Sequence, residues 1–166
     1  MENSVKNKLN DEAYELLQLP HVEFKYGDII FFDDKSIDSG QAGFRYNGLT
    51  GEPISDWTGD EYVVIGYDST AGLGPDPYIV KTDDPNLPVY WLMTDGGDWS
   101  DPDLICDSLK KFNQIFNVLG NYSEYFVNEE LTSELKEQIL SEIHNIENQE
   151  ISNYWSELLD RAIPMK

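Results

Sequence analysis

Three runs rich in β-branched and aromatic residues, 62–67, 77–82 and 87–93, follow one another at intervals too short to hold a crossover helix. A parallel pair needs such a crossover, so the economical arrangement is a set of consecutive antiparallel strands, a meander. Upstream, Val22, Phe24 and Tyr26 alternate with polar residues, and Gly27-Asp28 reads as a turn into Ile29, Ile30, Phe31 and Phe32. That adds a hairpin to the same sheet.

Helical signals bracket the strands. Residues 11–18 read as a short helix, with Asn10 as its N-cap, Leu16 and Leu17 as its apolar side and Pro20 ending it. Leu109, Phe112, Phe116 and Leu119 recur at helical spacing over 108–119, and Gly120 reads as the stop. Further on, Leu135, Ile139, Ile143 and Ile146 form one apolar stripe, and Ile151, Trp155, Leu158 and Leu159 form another, which reads as two amphipathic helices or one broken near Asn148. Thr132 or Ser133 should cap the first of these helices and Ser152 the second, with Pro164 closing the series. Residues 33–60, punctuated by glycines, read as loops with a short strand near 44–46. The fold class is therefore α+β, a mainly antiparallel sheet packed by helices with a helical C-terminal region over 121–166. At 166 residues one domain is expected.

Charge constrains function more than fold. The chain has 32 acidic and 11 basic residues, a formal charge of -21, and such a field repels the phosphates of nucleic acids and anionic lipids. From Tyr46 to Leu109 there are thirteen acidic residues against one basic residue, Lys81. Ordinary surfaces intersperse both signs, so this segment is a candidate face for a basic protein partner. The single cysteine, Cys106, and the absence of an apolar signal core or of a run of about 18 apolar residues lead us to expect a cytoplasmic protein with no membrane association.

The motifs that could carry chemistry are weak. Asp95, Asp98, Asp101 and Asp103 in a Gly-containing loop superficially suit calcium, but no closing glutamate follows and Pro102 interrupts the pattern. Gly72-Leu-Gly74-Pro75-Asp76 lacks the lysine and spacing of a phosphate loop. Cys106 beside Ile105 reads as a small buried residue rather than a nucleophile, and His144 among Glu142 and Glu147 as part of a polar helix face. His21 and His144 are too far apart in the sequence to make a convincing zinc site without further ligands. Adjacent acids such as Asp33-Asp34, Asp60-Glu61 and Asp83-Asp84 are uninformative in so acidic a chain, which leaves a carboxylate- or metal-dependent hydrolase as a minor alternative. Trp91 and Trp155 read as core, whereas Trp57 and Trp99 sit in acidic loops where an amphipathic aromatic could anchor a partner.

The order of Tyr62-Val-Val-Ile-Gly-Tyr67, a Gly-Pro-Asp link into Pro77-Tyr-Ile-Val80, Pro88-Val-Tyr90, an acidic loop with Trp99 and then Ile105-Cys-Asp-Ser-Leu-Lys-Lys-Phe112 resembles the SUKH superfamily. This is the group of the fungal Smi/Knr cell-wall assembly regulators and many bacterial immunity proteins. The resemblance covers residues 62–119 or so, and it implies an α+β fold without catalytic machinery. It also implies a cytoplasmic antidote that binds and neutralises a cognate polymorphic toxin, often a nuclease. The expectation is a non-catalytic binding protein without cofactor or metal. Asp56, Trp57, Asp60, Glu61, Asp68, Asp76, Asp95, Asp98 and Trp99 are the candidate contacts to a basic toxin domain. A regulatory or scaffold interaction module is the alternative.

Overall fold

The computed structural model describes residues 4–55, 57–71, 74–94, 101–147 and 153–163. Six strands form one antiparallel sheet in sequence order: β1 (Val22–Phe24), β2 (Gly27–Phe31), β3 (Tyr62–Asp68), β4 (Asp76–Lys81), β5 (Val89–Trp91) and β6 (Asp103–Cys106). Among the described residues the α-helices are α1 (Asp11–Leu16), α2 (Leu109–Asn121), α3 (Ser123–Val127), α4 (Ser133–Glu147) and α5 (Tyr154–Asp160). This is the expected α+β meander with two further elements, β6 and α3. The first hairpin turns at Lys25-Tyr26, since Phe24 pairs with Gly27. Gly27-Asp28 thus belongs to the ladder rather than to the turn. The stretch 44–46 forms isolated bridges, Ala42 to Tyr46 and Tyr46 to Pro53, instead of a strand.

Helix entry follows the expected chemistry where the caps are described. The Asn10 side chain accepts from the Ala13 N–H at 2.8 Å, Ser108 from Lys111 at 3.3 Å, and Thr132 from Leu135 at 3.1 Å, each satisfying a donor that the first helical turn leaves orphaned. The anticipated caps and stops at Ser152 and Pro164 lie outside the described residues. Gly120 does not stop α2, which runs on to Asn121. Its missing Cβ instead makes room for Pro20, whose ring atoms would sit 3.1 Å from a side chain there.

One face of the sheet takes the helices. Leu109, Phe112, Ile115, Phe116 and Leu119 of α2 are all buried. The rings of Phe112 and Phe116 lie 5.5 and 5.9 Å from that of Tyr78, in edge-on geometries that add to the gain from apolar burial. Phe126 of α3 stacks on Phe24 of β1 at 4.9 Å, which covers that edge of the sheet. At the other edge the Trp155 indole of α5 donates to the Ile105 carbonyl of β6 at 3.2 Å. Both edges are therefore engaged by helices, which blunts the tendency of open strands to pair with other chains.

The centre of β3 is irregular. A bulge between Val64 and Gly66 interrupts the β3–β4 register, and on the other side Gly66 pairs with Phe31 of β2, where an added Cβ would fall 2.3 Å from the Ile30 carbonyl oxygen. Just past the end of β2, buried Gln41 replaces the missing strand. Its Oε1 accepts from the Val64 N–H at 3.0 Å, and its Nε2 donates to the carbonyls of Val64 and Ile37, each at 2.8 Å. An amide side chain is suited to this because it carries a donor and an acceptor side by side, as a neighbouring backbone would. Gln41 thereby pins the loop region 33–60 to the second face of the sheet.

Candidate functional site

That second face carries a smaller apolar cluster. Phe44, Val64 and Ile79 are buried there, and Phe32, Trp57, Tyr62, Tyr67 and Tyr90 pack around them, partly open to solvent. Tyr62 and Tyr90, on β3 and β5, meet edge to face at 5.5 Å. Exposed Asp60 and partly exposed Glu61 precede Tyr62, while Asp83 and Asp84 leave the far end of β4 beside them. Lys81, on the same strand end, lies 3.7 Å from Asp83 and is offset by it. The result is an aromatic shoulder bordered by carboxylates.

The loops next to this shoulder enclose a half-open cavity of about 430 Å³. Its walls are the N-terminal turn with Lys8, the ribbon carrying Arg45, Tyr46 and Ile54, and the loop from Trp57 to Asp60. The ribbon is held by backbone bonds from Ile54 to Arg45 at 2.9 Å and from Asn47 to Glu52 at 2.8 Å. The N-terminal turn is held by Asp38, which accepts from the Val5 N–H at 2.7 Å and from the Ser4 hydroxyl at 2.8 Å. The Trp57 indole donates to the Gly59 carbonyl at 2.8 Å, fixing the ring against the cavity wall. Leu49, at the tip of the same ribbon, is 98 % exposed.

Of the nine residues singled out in the sequence, the structure brings together Trp57, Asp60 and Glu61. Asp68 and Asp76 are elsewhere and are not at the surface. They pair with each other at the opposite end of the β3–β4 ladder, about 20 Å from Tyr62 at the usual rise of a strand, and on the helix side. Asp68 is fully buried: one carboxylate oxygen accepts from Arg161 at 2.6 Å and from the Tyr154 hydroxyl at 3.1 Å. The other accepts from the Thr70 N–H at 2.8 Å and its hydroxyl at 2.6 Å. Tyr154 in turn bonds Tyr78, and Arg161 also reaches the Thr70 hydroxyl at 2.6 Å. Asp76 accepts from the Thr94 N–H at 2.7 Å and from its hydroxyl at 2.8 Å, and burial pushes its carboxyl above the ordinary range. These two acids hold the fold together rather than facing a partner, because a buried charge persists only where bonds replace water. Asp56, Asp95, Asp98 and Trp99 lie outside the described residues.

Three exposed or cavity-lining residues escaped the sequence reading: Lys8, Arg45 and Leu49. Arg45 stands one residue before the acidic segment, and a lone cation at its border is the one signal that could have marked it. Glu147 also differs from expectation. It lies in the apolar stripe four residues after Ile143 and is buried, not part of the polar face with His144. There it accepts from the Cys106 thiol. Burial first, and then the Glu147 hydrogen bond and charge, push the Cys106 thiol far up, so that it stays protonated and unreactive.

Among the described residues, no three His, Cys, Asp or Glu side chains are grouped as metal ligands would be, and no helix is long and apolar enough to cross a membrane. No family model, curated protein or solved structure matches the chain.

Proposed function

We propose that the chain is a non-catalytic binding protein of the immunity type, which neutralises a basic toxin domain by covering it with the second face of the sheet. The observation that carries this reading is the aromatic shoulder of Trp57, Tyr62 and Tyr90 bordered by Asp60, Glu61, Asp83 and Asp84. Amphipathic rings supply contact area at low entropic cost, and an acid border speeds encounter with a cationic surface. The resemblance of residues 62–119 to SUKH proteins supports the same reading, as does the formal charge of -21. A cytoplasmic location, and a nuclease as the neutralised toxin, belong to this proposal.

The test asks whether the gene next to this one encodes a toxin-like domain, and then measures how that domain associates with this chain. Its association rate should fall steeply between low and physiological salt, because exposed charges farther apart than about 8–10 Å are then screened. The double reversal D60K/E61K should slow association at low salt by tenfold or more, while W57A should chiefly speed dissociation. A rate indifferent to both salt and the charge reversal would sink the electrostatic part of the proposal.

A further inference from the structure

Among the described residues, the cavity beside the aromatic shoulder is lined by more cations than acids, against the balance of the chain as a whole. Within a chain of formal charge -21, two cations, Lys8 and Arg45, line one half-open space of about 430 Å³, a size that suits a small ligand. The Arg45 side chain is only 11 % exposed, and its Nε is buried with no hydrogen-bond partner among the described residues. Its fork reaches one carboxylate, that of Asp60, at 3.4 Å, and the Asp60 side chain is itself fully exposed. Burial draws the Arg45 guanidinium below its ordinary value, with the Asp60 charge opposing the shift. A guanidinium stripped of water and held by one long bond is an under-used donor set. Its planar fork matches a carboxylate in two parallel hydrogen bonds.

The remaining walls specify what accompanies the carboxylate. The Trp57 ring lies 6.0 Å from the Arg45 guanidinium carbon, and Tyr46, Pro53 and Ile54 complete the lining. Lys8 is fixed at the rim through its bond to the Asp60 carbonyl.

We propose that this cavity is a socket for a carboxylate carried next to an aromatic or other apolar group, the chemistry of a polypeptide C-terminus or of a free aromatic acid. The incoming carboxylate takes the Arg45 fork in place of Asp60, whose side chain swings into solvent, while the apolar group rests against Trp57 and Ile54. Asp60 is then a built-in competitor, so its removal should tighten binding. That sign separates the socket from the acidic shoulder, where loss of Asp60 weakens a basic partner.

The experiment follows the Trp57 indole resonance during titration with N-acetylphenylalanine, its carboxamide, and a short peptide ending in a free C-terminal phenylalanine, with inorganic phosphate as a further probe. The acid should bind saturably and the amide should not. D60N should tighten binding severalfold, and R45Q should weaken it tenfold or more. K8Q, on an exposed side chain, should weaken it by a smaller factor and covers the case in which R45Q does not fold. Binding by the free acid assigns the socket to small acids as well as chain termini; binding by the peptide alone restricts it to termini. Equal binding of acid and amide, binding of phosphate alone, no response to any probe, or weaker binding in D60N would overturn the proposal. None of these results bears on the toxin measurement, which reads Asp60 together with Glu61.

Discussion

Replacing Glu147 with methionine should stabilise the protein. The glutamate is the last described residue of α4, is 3 % exposed, and has one oxygen, Oε2, that is buried without a partner among the described residues. Burial raises its carboxyl above the ordinary value of 4.5; the nearby Asp107 charge works in the same direction, while the Cys106 thiol, the Asp107 backbone and Lys111 oppose the shift. Methionine keeps the length and removes the charge. Removing an unsatisfied buried group returns about 1–3 kcal/mol, and loss of the thiol hydrogen bond takes back about 1 kcal/mol or less, so the net gain is on the order of 1–2 kcal/mol. In a domain of this size that raises Tm by about 2–8 °C.

The sign with pH follows from the direction of the shift. A carboxyl whose folded value is raised binds its proton more tightly in the native state, so its penalty is absent below about 4.5, grows as pH rises through the folded value, and is constant above it. Thermal melts followed by circular dichroism from pH 4 to 8 should therefore show the advantage of E147M widening with pH above about 4.5 and then levelling. A constant difference across that range, or a less stable variant at pH 8, would refute the reasoning.

Two further changes probe the sheet and its clamp. R161M leaves the Asp68 carboxylate buried without its counterion, and urea unfolding should show a loss of about 3–5 kcal/mol, partly restored in the double variant D68N/R161M. Q41L removes the partner of both Val64 backbone groups and of the Ile37 carbonyl, and should cost on the order of 3 kcal/mol by the same measurement; an unchanged midpoint would show that water fills the gap.

The sheet was legible in the sequence because its central strands are long enough to show β-branched and aromatic enrichment and the links from β3 to β4 and from β4 to β5 are too short for a crossover helix. β6 was hidden because its four residues are squeezed between an acidic loop and the Ser108 cap, too few to show a period. Gly120 misled for a physical reason: a helical glycine serves either a left-handed stop or a close approach, and only the position of Pro20 decides which. The candidate site divided along the same line. Asp60 and Glu61 precede β3 and stay at the surface, whereas Asp68 closes the strand at the other end, where side-chain alternation and the bulge turn it toward α5. Alternation alone cannot reveal an arginine waiting 93 residues further on.

That separation bears on how the molecule is made. The neighbours of each strand are adjacent in sequence, so the sheet can assemble as it is synthesised and would be expected to form quickly. Yet the last ladder pair of β3 and β4 sets Asp68 on the helix side of the sheet before Arg161 exists to neutralise it. A nascent chain that has reached α4 therefore holds a sheet with an unpaid charge in its flank, and it gains its last measure of rigidity when α5 arrives. Shortened forms lacking α5 should be the ones a cell's proteases find first.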